Sequence, residues 1–148
     1  MDYQVSVVGG GISGALAALY LGKSRVKTCL IDRGKPSQRL SNPYIGKTTS
    51  LNLSSIASLR DVGIWEDIKK NAQEFNEIYV WDAEGSSSVQ FKAEEISRND
   101  LGVIVHNNII LESIYSKLEQ ISEVTLIEEE SLKEISQDQN KIELTSDS

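Results

Sequence analysis

Apolar positions along the chain form short runs of strand character separated by helical stripes. Val5, Val7 and Val8 make the first run, the small-residue segment Ala15 to Leu21 predicts a helix, and Cys29-Leu30-Ile31 predicts a second strand that ends on Asp32. Arg33-Gly34-Lys35-Pro36 and Ser41-Asn42-Pro43 are turn chemistry, and residues 33–46 between and around them read as a loop. Ser50 to Val62 reads as a helix with a modest apolar face of Leu51, Ala57, Leu59 and Val62. Gly63 closes it, and a further helical turn begins at Ile64 and runs to Asn71.

Alternation resumes at Phe75 to Asp82, with Ile78, Val80 and Asp82 on one side and Tyr79 and Trp81 on the other. Glu84-Gly85-Ser86 is a turn and Ser88 to Lys92 a return strand, so residues 75–92 form a predicted hairpin. Val103 to Val105 is a short strand. Asn107 is the expected N-cap of a helix from Ile109 to Glu119, with Ile110, Ile114, Leu118 and Ile121 as its apolar stripe. Val124 to Ile127, Leu132 to Ser136 and Ile142 to Thr145 complete the strands. Strands alternating with helices give an α/β class, with a Rossmann-like βαβ unit at the start.

The glycines give that first unit its chemistry. Gly9, Gly11 and Gly14 occupy the G-x-G-x-x-G positions between strand and helix. Gly9 permits the tight turn, Gly11 lets a pyrophosphate approach the backbone, and Gly14 lets helix and strand pack closely. The amides around Ile12 and Ser13 open the helix and face the phosphates with the positive end of its dipole. Asp32 stands 23 positions after Gly9, near the offset of about 20 expected of an acid that holds a ribose hydroxyl. A bound dinucleotide follows; the bland alternative is a βαβ unit whose glycines serve packing only.

With 39% apolar and 25% charged residues, the 148-residue chain is long enough for a single domain with its own core. Residues 1–47 carry a net charge of +5 and the remainder −12, giving −7 in all. A basic first segment suits a phosphate-bearing cofactor, and the overall acidity disfavours nucleic acid. Cys29 is the one cysteine, which excludes an internal disulfide; mid-strand, it reads as a buried small hydrophobe. No apolar run reaches the roughly 18 residues of a membrane span. No leader is expected ahead of a strand that starts so near Met1. No spacing of Asp, His and Cys resembles a metal site. Trp65 and Trp81 are expected to pack, and Glu128-Glu129-Glu130 to form a solvated turn.

Four stretches, in order, resemble one family: Val5–Asp32, V-G-I-W-E-D-I (62–68), Y-V-W-D (79–82) and L-G-V-I-V-H-N-N-I-I-L-E-S-I (101–114). The chain resembles the N-terminal part of a flavin-dependent aromatic-ring monooxygenase of the ubiquinone-biosynthesis group. The class is similar in plan to para-hydroxybenzoate hydroxylase, and the mitochondrial ring hydroxylase is the nearest type. The first stretch is common to all such flavoproteins; the later three point to the ubiquinone group.

The resemblance implies FAD, with Gly9, Gly11, Ile12, Ser13 and Gly14 toward its pyrophosphate and Asp32 and Arg33 toward the adenosine ribose. It implies that Lys47, standing where the family has an arginine, lies near the flavin; lysine keeps the charge but not the planar fork. His106 and Asn107 match a Glu-Asn pair that approaches the cofactor, although a half-exposed strand-end histidine is the simpler account of His106. The whole of 1–148 would be the first part of an FAD-binding domain, with hairpin 75–92 an excursion toward a β-rich substrate domain. The family's two later flavin motifs, G-A-D-G and G-D-A-A-H, do not occur, so the chain corresponds to about the first third of the enzyme and is expected to be inactive alone.

For the complete enzyme the resemblance implies hydroxylation of a polyprenylated phenol. It also implies an electron donor of reduced-nicotinamide or ferredoxin type, a membrane-associated biosynthetic complex, and the matrix side of the mitochondrial inner membrane. No catalytic residue is assigned. Two other readings stay open from the residues themselves: an NAD(P)-dependent dehydrogenase domain using the same glycines, and a non-catalytic nucleotide-binding or assembly fragment.

Overall fold

The computed structural model describes residues 2–35 and 46–146, so most of the predicted loop 33–46 lies outside the described residues. The chain divides into two compact units, Met1–Tyr44 with Asn108–Ser148, and Ile45–Asn107.

The first unit is built on a parallel sheet of β1 (Val5–Val8), β2 (Thr28–Asp32) and β8 (Val124–Glu128), in the order β1-β2-β8. The central strand is buried along its whole length, which is why T-C-L-I-D lacks the alternation of a half-exposed strand. Val7 pairs with Leu30 and Leu30 with Leu126, so the register brings Asp32 level with Glu128. Cys29 is buried and donates its thiol to Ser6 Oγ at 3.1 Å.

Helix α1 (Ile12–Lys23) crosses over from β1 to β2, burying Ala15, Ala18, Leu19 and Gly22. Small side chains let it lie close: a Cβ on Gly22 would come 2.5 Å from Val124 Cγ2 and 2.9 Å from Ile121 Cγ2. The helix ends in a Schellman motif, with Val26 N–H on Leu21 O, Arg25 N–H on Gly22 O, and Arg25 at φ 63° in the place glycine usually takes. The strained residue is also tethered, since its guanidinium pairs with Glu123 at 2.5 Å.

An antiparallel pair, β9 (Leu132–Gln137) with β10 (Ile142–Ser146), completes this unit with α4 (Asn107–Leu118), which begins on the last residue of the other unit. Ile110, Ile114 and Leu118 of the expected stripe are buried, and Tyr115 with them.

The second unit holds an antiparallel sheet, β3 (Thr48–Asn52), β7 (Gly102–His106) and β4 (Gln73–Phe75), in the order β3-β7-β4. Here the structure corrects the expected helix at Ser50: residues 50–52 belong to β3, and α2 runs Leu53–Asp61. The β-branched Thr48 and Thr49 carry the chain into the sheet, and Asn52 stops it by capping α2, its Oδ1 accepting Ser55 N–H at 2.8 Å. Leu51, placed by periodicity on a helix face, is instead buried from the strand. Gly102 has φ +154°, and a Cβ there would overlap Leu51 O and stand 3.2 Å from Phe75 Cζ, so glycine is what lets β3 and β4 flank β7. Gly63, at φ +77°, does close α2, with Ile64 N–H on Leu59 O, before α3 (Trp65–Lys69).

The expected hairpin forms from β5 (Glu77–Trp81) and β6 (Ser88–Lys92), with Phe75 reassigned to β4. Asn107 is not an N-cap residue ahead of the helix; α4 starts on it. Its N–H donates to Lys47 O, and its Oδ1 accepts the Thr49 hydroxyl at 2.5 Å. Trp65 is buried as expected, beneath the Arg60 guanidinium. Trp81 does not pack: it is 66% exposed, stacked only on Tyr79 at 5.8 Å.

Candidate functional site

Where β1 leaves the sheet, Gly9 turns the chain at φ +104° while its N–H stays on Ile31 O at 2.8 Å. The backbone then reaches Gly11, which stands in extended conformation as the N-cap residue of α1 and offers no side-chain cap. The first amides of a helix have no partner within it. A Cβ built on Gly11 meets nothing within 4 Å, whereas one on Gly14 would overlap the carbonyl oxygen of Gly9. The two glycines therefore do different work: Gly11 keeps an open approach to the helix start, and Gly14 seats the helix on the turn.

Asp32, at the C-terminal end of β2, is buried, with 9% of its surface exposed. Its Oδ2 accepts the N–H of Gly10 at 2.5 Å and its Oδ1 the N–H of Gly34 at 2.8 Å. The carboxylate is thereby fixed beside the glycine turn on one side and the β2 exit on the other. A cavity of about 300 Å³ opens at this point, lined by Val8, Gly9, Asp32, Arg33, Glu130 and Leu132 among others. That is near the small end of ligand-pocket volumes. It lies at the carboxyl end of the parallel strands, where open α/β sheets bind ligands.

The acidic turn is more than a solvated one. Glu129, at φ 59°, pairs its carboxylate with Lys35 Nζ at 2.9 Å, and Glu130 N–H donates to the backbone oxygen of Asp32 at 3.1 Å. The Lys35 ammonium has its pKa raised by the hydrogen bond to Glu129 and then by that residue's charge. The turn thus forms one wall of the cavity.

Of the sequence-predicted residues, Gly9, Gly11, Ile12, Ser13, Gly14, Asp32 and Arg33 come together in the first unit. Lys47 and His106 lie in the second. Lys47 is exposed just before β3 with its carbonyl on Asn107 N–H, and half-buried His106 ends β7 opposite Thr48. Sequence reasoning missed Gly10 and Tyr115. Gly10 is the x of the glycine motif, yet it is the buried one, and Tyr115 of α4 donates its hydroxyl to Gly10 O at 2.9 Å.

The model of a family described as FAD binding domain matches residues 2–144. The mitochondrial ubiquinone biosynthesis monooxygenase COQ6 of Dictyostelium discoideum is 31% identical over 147 residues, a match covering 88% of this chain and 30% of that protein. The 3-demethoxyubiquinol 3-hydroxylase of Escherichia coli is 25% identical over 126 residues, covering 83% and 32%. In structure, p-nitrophenol 4-monooxygenase PnpA from Pseudomonas putida superposes with a TM-score of 0.75 at 21% identity, over 96% of this chain and 35% of its own. The chain spans about a third of the length of the curated relatives it matches.

Proposed function

The chain belongs to the FAD-binding domain family, and we propose that it supplies the adenosine-diphosphate end of the flavin site of an aromatic-ring hydroxylase of ubiquinone biosynthesis. The observation that carries this is the buried Asp32 carboxylate held against Gly10 N–H at 2.5 Å, on the wall of a cavity beside the open start of α1. A carboxylate there accepts ribose hydroxyls, and the bare N-cap at Gly11 admits a pyrophosphate to the first amides of the helix. The residues present fit this half of FAD.

In this reading Gly9, Gly11, Ile12, Ser13 and Gly14 hold the pyrophosphate, and Asp32 with Arg33 holds the ribose. Lys47 and His106 belong to the flavin side, and residues 1–148 are the first part of the FAD-binding domain. The β5–β6 hairpin begins the substrate domain. When bound, the flavin supplies the redox chemistry of oxygen insertion; the chain's own residues bind it, orient it and keep water from its adenosine end. The substrate is a phenolic ring, polyprenylated in the finer reading. The reductant is of reduced-nicotinamide or ferredoxin type, and the setting a membrane-associated complex on the matrix side of the mitochondrial inner membrane.

Titration of the chain with FAD, ADP and NADH tests the reading. FAD and ADP are expected to bind weakly and to compete with each other, with no ring hydroxylation by these 148 residues under any reductant. Tight NADH binding without any affinity for FAD would overturn the flavin assignment in favour of a nicotinamide-dependent domain.

A further inference from the structure

Two peptide groups of the glycine turn are fixed in direction, one of them by a residue 105 positions away. Gly10 N–H points at Asp32 Oδ2, so the carbonyl of Gly9, on the same planar trans peptide, points the other way. That is where Gly14 lies: a Cβ on Gly14 would land on this oxygen. The next peptide runs from the carbonyl of Gly10 to the N–H of Gly11. Its oxygen accepts the buried hydroxyl of Tyr115 at 2.9 Å, across 105 positions of sequence. Planarity then turns Gly11 N–H away from Tyr115, and a Cβ built on Gly11 meets nothing within 4 Å.

We infer that Tyr115 is a positioning residue for phosphate recognition: by holding Gly10 O it aims Gly11 N–H outward, at the place where the pyrophosphate binds. The inference rests on the dinucleotide reading above and deepens it. Space supports it as well as direction. Gly10 is buried between the two partners: a Cβ there would overlap the Tyr115 oxygen and stand 3.1 Å from Asp32 Cβ and Oδ2. Glycine at position 10 is therefore required by Tyr115 and Asp32 acting together. The glycine-rich peptide 10–11 has no Cβ on either side to resist rotation, so the tyrosine hydroxyl adds a restraint on its direction that would otherwise be supplied when the ligand binds.

The experiment compares the 148-residue chain with its Tyr115→Phe variant, using ADP and adenosine as probes in an amide-resolved NMR titration that reaches weak affinities. Loss of one aimed hydrogen bond predicts a roughly three- to tenfold fall in ADP affinity with adenosine affinity nearly unchanged, while the melting temperature of the free protein falls modestly because the buried Gly10 oxygen loses this donor. A purely structural role would lower ADP and adenosine together, and that result overturns the inference, as does unchanged ADP affinity. On the unsubstituted chain, which needs no variant to fold, the Gly11 amide resonance is expected to shift on addition of ADP and not of adenosine. An unmoved Gly11 amide in the presence of bound ADP overturns it too. Absence of any ADP binding by the unsubstituted chain would instead bring down the dinucleotide reading, and this inference with it.

Discussion

The amide of Gly10 donates to Oδ2 of Asp32 at 2.5 Å, joining two strand ends that are 22 residues apart. One side chain thereby shapes the turn and presents a carboxylate to the cavity beside it. The glycine turn and the ribose acid are thus one structure rather than two independent contacts.

Replacing Asp32 by alanine should expose this coupling. It leaves the buried Gly10 N–H and the part-buried Gly34 N–H without their acceptor, a loss of about 1–3 kcal/mol for a buried donor stranded in this way. Denaturant unfolding should show a lower midpoint with unchanged slope, and ADP affinity should fall at least about tenfold, given the charge-assisted bonds a ribose would lose. Asp32→Asn keeps one acceptor oxygen but turns a donor toward the second N–H, so it should recover part of the stability and little of the binding. Equal stability for the alanine variant and the original chain would mean that the Gly10 bond contributes nothing.

The glycine motif makes a sharper contrast. Gly11→Val enters open space at φ −72°, which valine adopts, so the fold should survive with a melting temperature only slightly lower. Its branched side chain occupies the approach to the helix start, and ADP or flavin binding should be abolished. Gly14→Ala places a methyl on the Gly9 carbonyl, so it should cost stability first, of the order of 1–3 kcal/mol for an overpacked contact. Thermal melting and ligand titration of both variants would separate the two roles; unchanged flavin content in Gly11→Val would contradict the assignment of Gly11.

How far this arrangement is legible in the sequence depends on how local its causes are. Gly9, Gly11, Gly14 and Asp32 can be found by spacing because a single βαβ unit sets their positions. Tyr115 cannot: in sequence it is one more residue near an apolar helical stripe, and its role appears only when α4 brings it to Gly10. Gly10 hides for a related reason, since the motif leaves its position unspecified while the packing of Tyr115 and Asp32 specifies it. Strand β3 was obscured by its polar residues, which read as a helix until Asn52 is recognised as the cap that ends the strand and starts α2. Trp81 misleads in the opposite sense, because an alternating pattern predicts a strand without saying whether either face is covered.

The Arg25–Glu123 pair gives a pH dependence with a definite sign. The hydrogen bond from Arg25, followed by one from Ser122, lowers the Glu123 pKa below its usual 4.5. A carboxyl depressed in the folded state stabilises above its unfolded value, and the contribution fades as pH falls through the folded pKa. Arg25 is largely exposed, its side chain 83% accessible, so solvent screening keeps the effect small. Melting temperatures of the original chain and Glu123→Gln should differ modestly at pH 7, with the original higher, and converge below about pH 4.5. A constant difference across that range would remove the ion pair as its source.

The β5–β6 hairpin carries the last prediction. Ile78 pairs with Phe91 and Val80 with Val89 on one face, and Tyr79 and Trp81 stack on the other, yet all six are between 40% and 66% exposed, Trp81 the most. An isolated two-stranded hairpin is marginal in water, and apolar surface of this extent is unusual on a solitary unit. The chain's two tryptophans therefore sit in opposite environments, since Trp65 is only 4% exposed. Emission should contain a red-shifted component accessible to iodide and a blue-shifted component that is not. Trp81→Phe should remove the accessible component and leave the melting temperature nearly unchanged, whereas Trp65→Phe should remove the protected one and lower stability by a cavity-sized amount, about 1 kcal/mol or more. If iodide fails to reach Trp81 in dilute solution, that face is covered, and sedimentation of the same sample will show whether another copy of the chain covers it.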